Sequence, residues 1–467
     1  MTSDGTGRGH VVLTFAPRAT QPATPASLDG APAPPDAYTR LERATPPEKA
    51  AIVRDLIDAH PEGRLVLPLW GGRRADLREA TLADARLGAA DLRGADLRGA
   101  DLAGATLGAA ALQGAVLEGT DLRGADLAGT TMSAAALGEA NLQGALLEDA
   151  DLRDAGLRFA NLREAALEGA HLERADLWGA TLDGAILTGA TLTGARIGEA
   201  SLRGADLTGA DLQDVALGRS DLEGARLTGA NLQGASLDGA RLRDAVLSEA
   251  RLQDLDLSTC DLAHIHVGGA RLGETRLRRA QLGGAIGEEV TGAYDAAATG
   301  YLALERNFVA LGDPDAGRWA YGKKRRMQKR AAWAGARAAA RARHWGTAGR
   351  RCALYVSDQV VEWLCDYGES VPRVLGALVV AYLAFTLYYG LTGSVVRVTG
   401  TAPHLIRATT RNPLDLAVFS LANMTTQSPL GMQPRDPAVQ IPTGLETLVG
   451  IFLTGLLGFV AGNRIRR

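Results

Sequence analysis

The feature that most constrains this chain is a large apolar residue every fifth position. The column starts at Leu77, Leu82, Leu87, Leu92 and Leu97 and stays in phase to Leu282, forty-two positions in all. Met132, Ile197 and Val267 are its mild exceptions. Two residues before each member sits a small residue, usually Ala (Ala75, Ala80, Ala95, Ala100), with Thr120, Thr130, Val215 and Ser220 as variants. Helices repeat every 3.6 residues and strands every 2, so neither accounts for a strict period of five. A short extended segment plus a corner, wound into a coil, does. The large residue and its small companion point inward, and the other three positions (often Asp, Arg, Gly, Gln or Glu) face water.

The units "ADLRG", "ANLQG" and "ANLRE" resemble the pentapeptide-repeat family over more than 200 residues. The resemblance implies a right-handed, four-sided parallel β-helix with four repeats per coil. One coil cannot bury its own ring of leucines, so coils must stack. About ten coils at ~4.8 Å each give a rod about 50 Å long. We place it at residues 75–287. Leu255, Cys260 and Ile265 enlarge the small column near its end, which reads as filler in a widened last coil and makes Cys260 a core thiol. His264 and His266 fall on outward positions and, without a third ligand nearby, fall short of a metal-binding pattern. Solenoid ends need caps. Residues 37–74 are assigned to the N-terminal one: a helix over 46–60 with Thr45 and Glu48 as a capping box, then a strand at 64–70. Some members of the family mimic DNA and bind topoisomerases, which needs a strongly acidic surface. Here residues 75–280 hold 32 acidic and 20 basic side chains, interspersed. That pattern is an ordinary solvated surface, and docking of an unidentified cytoplasmic protein, or assembly, suits the rod better.

Beyond 287 the pattern becomes helical, with two helices predicted around a turn at 312–317. From Lys323 to Arg351 every charge is positive. Two apolar stretches follow, so this linker (288–352) reads as a cytoplasmic segment touching anionic lipid, rather than a nucleic-acid site. Residues 353–372 fit an amphipathic helix in the headgroup plane. The pore region then occupies 373–467. Residues 374–396 are uncharged and long enough for a bilayer of ~30 Å, and 447–463 form a shorter second span. Arg373 before the first, and Arg464, Arg466 and Arg467 after the second, put both termini inside. This makes a multi-pass protein of the cell's inner, plasma membrane.

Between the spans, Asn412-Pro413 is a helix start. "LDLAVFSLANM" is too short to cross and ends in a polar knot, Thr425, Thr426, Gln427 and Ser428, before Pro429. Non-helical backbone at membrane depth must be buried in protein or line water, and a helix C-terminus favours a cation. "LAVFSLANMTT" and "LETLVGIFLTGLLGFVAGNRIRR" resemble the pore helix and inner helix of two-transmembrane, potassium-channel-like pores. The resemblance, over about residues 365–467, implies an α-helical pore domain with a re-entrant pore helix, repeated in a homotetramer around one path. The potassium filter TVGYG needs its glycines to turn successive carbonyls to the ion. The matching run here, Thr426 to Leu430, has neither. The expectation is a weakly selective path for permeant cations, or a filter closed at rest, with Gly431 supplying the turn after the knot. Glu446 would ring the outer mouth, or else pair with Arg435 at the interface. Gly450, Gly455, Gly458 and Gly462 would permit close packing, or one, Gly455, would be a gating hinge.

The rest of the sequence says less. Residues 1–36 are Pro-, Ala- and Thr-rich and expected to be a disordered tail, without a signal-peptide pattern. Three unpaired cysteines suggest a reducing compartment. No phosphate loop, metal cluster or nucleophile motif is present, so no enzyme, cofactor or metal is expected. The expected function is an ion channel. The alternatives are a membrane-anchored scaffold that conducts nothing, or a topoisomerase-binding DNA mimic.

Overall fold

A computed structural model describes residues 35–59, 65–67, 74–365, 370–399, 406–427 and 431–466. Most of the tail expectation (1–34) thus lies outside the described residues. Its end does not: helix α1 (Pro35–Arg43) already runs there, followed by α2 (Pro46–Ala59). The Thr45 N–H donates to Glu48 at 2.7 Å, one half of the predicted box. Of the expected strand at 64–70, residues 65–67 are described, and Val66 bridges Asp91.

The repeats form a parallel β-helix. Asp76 bridges Asp96, Thr81 bridges Asp101, and the twenty-residue step continues to Asp256 and Arg276. Four five-residue units therefore make each coil. Leu77 N–H donates to the Asp96 carbonyl (2.8 Å) and Asp96 N–H to the Ala75 carbonyl (2.9 Å). A turn closed by Ala80 N–H on the Leu77 carbonyl (3.1 Å) makes the corner. Its second central residue has positive φ, the signature of a type II turn. Both inward columns are buried along the whole solenoid. The variants in the small column satisfy their own hydroxyls: Thr120 donates to the Leu97 carbonyl (2.8 Å) and Ser220 to that of Ile197 (2.6 Å).

The recurrent Asp-Leu-Arg also has a local cause. The aspartate accepts the backbone N–H two residues on and grips the same residue's guanidinium, as at Asp91–Arg93 (2.8 Å) and Asp121–Arg123 (2.6 Å). Five of the rod's aspartates, Asp76, Asp91, Asp96, Asp121 and Asp151, are held in this way.

Both ends are covered. At the start, the buried Lys49 of α2 reaches Asp76 (2.8 Å) and the Arg78 carbonyl (2.9 Å). At the end, a 3-10 turn (Arg279–Leu282), a short α3 (Gly287–Val290) and α4 (Tyr294–Ala310) lie over the last coil, burying Leu282, Ile286, Tyr301, Leu304 and Phe308. Asn307 donates to the Thr275 carbonyl (2.8 Å). The first part of the expected linker is therefore the C-terminal cap. Cys260 sits in the core as expected, with burial raising its thiol to about 11.

The predicted turn separates α4 from α5 (Pro314–Arg341), with Asp313 as N-cap. Helix α6 (Trp345–Cys365) then folds back along α5. It starts eight residues before the expected interfacial helix, and one side of it is taken up by α5. The basic run is correspondingly less free than the sequence suggests. Lys323 pairs with Glu289 (2.9 Å), Lys324 with Glu305 (2.5 Å), Arg325 with Asp358 (2.6 Å), and Lys329 with Glu362. These cations hold α4, α5 and α6 together. Arg337, Arg341, Arg343, Arg350 and Arg351 join no carboxylate pair among the described residues.

The Lys49–Asp76 pair yields a prediction. Burial opposes the Asp76 charge, but hydrogen bonds from Arg78 and Lys49 outweigh it and hold the carboxyl far below its usual range. A depressed folded-state pKa means the pair's stabilisation is complete above the ordinary carboxylate range. It fades as pH falls below that range. Asp76→Asn should strand the Lys49 ammonium and cost about 3 kcal/mol. At neutral pH, proteolysis should then release α1 and α2 while the coils stay protected; unchanged α2 protection would refute the assignment.

Candidate functional site

Two helices are long and apolar enough to cross a membrane: α7 (Val371–Thr392) and α9 (Gln440–Arg466, apolar to Gly462). Their most apolar windows have mean hydropathies of 1.9 and 1.8 and are mostly unburied within one chain. Ser370 caps α7 and Gly393, in the left-handed region, ends it. Residues 395 and 396, expected inside the first span, instead begin a strand. That strand, β1 (Val395–Thr399), is the centre of an antiparallel sheet with β2 (Ile406–Thr409) and β3 (Met432–Pro434).

Helix α8 (Pro413–Met424) stands where the sequence puts it. Asn412 caps it, accepting from Leu414 N–H at 3.2 Å, and Pro413 occupies its first turn. Twelve residues rise about 18 Å, so α8 cannot cross. It packs against both α7 and α9. Tyr389, Val395, Leu416, Phe419, Met432 and Val439 form the core of this unit. The rings of Tyr389 and Phe419 meet edge to face, 5.2 Å apart.

Glu446 corrects one expectation. It is fully buried and faces no open mouth. Its carboxylate accepts from the Tyr389 hydroxyl (2.8 Å), the Ser420 hydroxyl and the Asn423 amide (3.2 Å), tying α9 to α7 and α8. Nor does it pair with Arg435, whose carboxylate neighbour is Asp436 (3.9 Å). A carboxylate in an apolar segment must find donors inside the protein, and three polar side chains on two helices supply them. The lone acid in the second span is the signal that could have pointed to this; its partners, spread from 389 to 423, carry no mark of their own.

The four glycines of α9 now separate. A Cβ on Gly450 would lie 2.3 Å from the Met424 carbonyl oxygen, so α9 crosses the end of α8 in backbone contact. Gly455, Gly458 and Gly462 have nothing within 4 Å.

The knot ends α8. Thr425 is its C-cap, and Thr426 takes φ 59°. Thr426 N–H returns to the Asn423 carbonyl (3.2 Å) and Gln427 N–H to that of Ala422 (2.8 Å), a Schellman closure built without glycine. A β-branched residue at positive φ is a conformational outlier. Gly431 is also left-handed (φ 69°), and its carbonyl accepts from Val398 N–H (2.7 Å), starting β3. The turn expected of Gly431 is thus present, and Thr426 makes an earlier one. Thr425, Thr426 and Gln427 are exposed on the single chain, grouped at the C-terminus of α8; Ser428 and Pro429 lie outside the described residues.

Gly450→Ala should force α8 and α9 apart, an overpacking cost of about 1–3 kcal/mol. Gly455→Ala should leave packing unchanged. Thermal melting of the purified protein in detergent distinguishes them; equal effects would contradict the described contact.

Comparison with known proteins bears on the rod. The profile described as "Pentapeptide repeats" matches in eight copies over stretches between residues 73 and 262. Among solved structures, HetL, a pentapeptide repeat protein involved in heterocyst differentiation regulation in the cyanobacterium Nostoc sp. strain PCC 7120, shares 33% identity over 44% of this chain and 91% of its own, with TM-score 0.29. A pentapeptide repeat protein from the Arabidopsis thaliana thylakoid lumen shares 35% over 20% of this chain and 66% of its own, TM-score 0.20. QnrB1, a plasmid-mediated fluoroquinolone resistance protein, shares 18% over 35% and 87%, TM-score 0.27. No curated protein sequence matches the chain. The profile ends at residue 262, before α4 to α9. By its repeats, which imply a right-handed β-helix, the chain belongs to the pentapeptide-repeat family.

Proposed function

We propose that this chain is one subunit of a membrane channel that passes cations with little selection and carries its β-helix on the cytoplasmic side. The observation that carries this reading is the order of elements α7, α8, α9. A helix too short to cross is wedged between two that can, and its C-terminal knot of Thr425, Thr426 and Gln427 is free of intramolecular cover. The negative end of the α8 dipole points at that knot, and hydroxyl and carbonyl oxygens there suit a cation. The helices leave Leu383, Leu387, Leu391, Leu448, Phe452 and Phe459 exposed. Lipid and neighbouring copies, four by analogy with two-transmembrane pores, would cover them.

Glu446 in this reading is a positioning residue: it fixes α8 against both spans. Gly455 lies in the stretch of α9 between two packed points, Gly450 on Met424 and Val460 among Cys365 and Val374. An open position at Gly455, between the buried Leu453 and the packed Leu456, suits a hinge. Anionic lipid falls to Arg337 to Arg351, because Lys323 to Arg330 are occupied within the protein.

A second reading, a membrane-anchored scaffold, is favoured by one observation: the filter position lacks glycine. The DNA-mimic reading is weakened by the arginines interspersed along the rod, five of which pair with the aspartate two residues before them.

Purified protein in liposomes should carry small monovalent cations, with sodium and potassium passing within about ten-fold of each other. Thr426→Ala should alter that ratio. Absence of flux across voltage, pH and membrane tension would leave the scaffold reading.

A further inference from the structure

Between Ala75 and Leu277 the chain holds one Phe and one Trp, and no other Phe, Trp or Tyr. Phe159 and Trp178 lie on the same corner of successive coils, joined by the Phe159 N–H to Trp178 carbonyl bond (3.0 Å). Phe159 is 57% exposed and sits at φ 58°, between Glu139 of the coil below (φ 59°) and Gly179 of the coil above (φ 67°). Placing a side chain there costs roughly 1–2 kcal/mol, and exposing the ring regains little. The rings lie flat on a bed of glycine: a Cβ on Gly179 would come 2.5 Å from the Phe159 ring, and one on Gly198 2.5 Å from that of Trp178. Arg158 flanks them, 5.9 Å from the Phe159 ring centre, half-exposed and 3.7 Å from Asp176 of the same chain. Trp, Phe and Arg in one patch are the residues interfaces favour at their centres.

A second apolar patch lies on a different side of the rod. Leu146, Ala166 and Ile186 stack through parallel bridges on an outward column that reads Asp126 before them and Asp206 after. Leu146 is 43% and Ile186 40% exposed. The next corner carries Glu148, Asp149 and Glu168. The midpoints of the two patches differ by under three residues along the chain, less than about 1 Å of rise at ~4.8 Å per coil.

A closed ring of identical subunits needs two different patches on each copy, at equal height where the rods stand parallel to the ring axis. We infer that the Phe159–Trp178 corner of one copy seats on the Leu146–Ile186 stripe of the next, head to tail, with Arg158 facing the acidic corner beside that stripe. The occupant is thus a second copy of this chain, and the inference rests on the self-assembly proposed above, not on conduction.

The test uses the full chain in detergent, with Cys352→Ser and Cys365→Ser, leaving the buried Cys260. Phe159→Cys and Ile186→Cys are added singly and together, and treated with a short bis-maleimide. The double variant should give a ladder of linked subunits, about ten-fold more product than either single variant, because assembly raises the effective concentration. Co-expressed single variants should give dimers alone. Particle mass is measured on the same samples. A multi-subunit particle without the ladder overturns this contact and leaves the channel reading standing. A monomeric particle overturns both. Self-linking of Phe159→Cys alone, or its linking to a different protein in membranes, also overturns the head-to-tail contact.

Discussion

Everything in the rod follows from one packing constraint: each five-residue side of a square coil must put one large and one small side chain inward. The large one fills the axis; the small one lets the chain turn toward it. Both columns accept only residues that fit these spaces, such as Met132 and Ile197 in one and Thr120 and Ser220 in the other, so the period runs over some two hundred residues while the outward positions vary more widely. The same constraint makes each coil dependent on its neighbours, and the caps follow from it. Lys49 with Asp76 covers one end, and Tyr301, Leu304 and Phe308 the other.

How far the sequence could be read depends on whether a residue's partners lie nearby in the chain. The rod's period is local, so its coils, corners and even the role of Cys260 are legible. Helix α8 is legible for the same reason: Asn412, Pro413 and a following apolar run all act within one turn of each other. The sheet has a sequence signal that a second one overrides. Gly393 ends α7, and Val-Val-Arg-Val-Thr then alternates like a strand, but Val395 and Val396 also prolong an apolar run and so read as part of the span. Longer-range pairs leave no such trace. Glu289, Glu305, Asp358 and Glu362, which neutralise the basic run, are scattered over three helices. Nothing in sequence ties Glu446 to Tyr389, Ser420 and Asn423.

Those long-range pairs form a continuous chain of contacts from the rod to the spans. Helix α4 seals the last coil and is held to α5 by Lys324 and Glu305. Helix α5 grips α6 through Arg325–Asp358 and Lys329–Glu362, and the rings of Trp333 and Tyr355 stack 5.0 Å apart. Glu362 then meets α7, its carbonyl accepting from Arg373 (2.8 Å), and Cys365 packs with Val374 of α7 and Val460 of α9. The path ends at the start of α7 and near the end of α9.

That end point gives the glycines of α9 their meaning. Near its start α9 is fixed to α8 by Glu446 and by backbone contact at Gly450; near its end Val460 fixes it to the end of the α4–α6 path. A Cβ on Gly455 or Gly458 would meet nothing within 4 Å, whereas Leu453 is buried and Leu456 and Leu457 pack against the Val460 core. The two fixed points belong to different cores, one around Tyr389 and Phe419 and one around Cys365, Val374 and Val460, and α7 runs through both. Of the four glycines, Gly450 alone therefore has a packing reason, because only there would a side chain strike the backbone of a neighbouring helix.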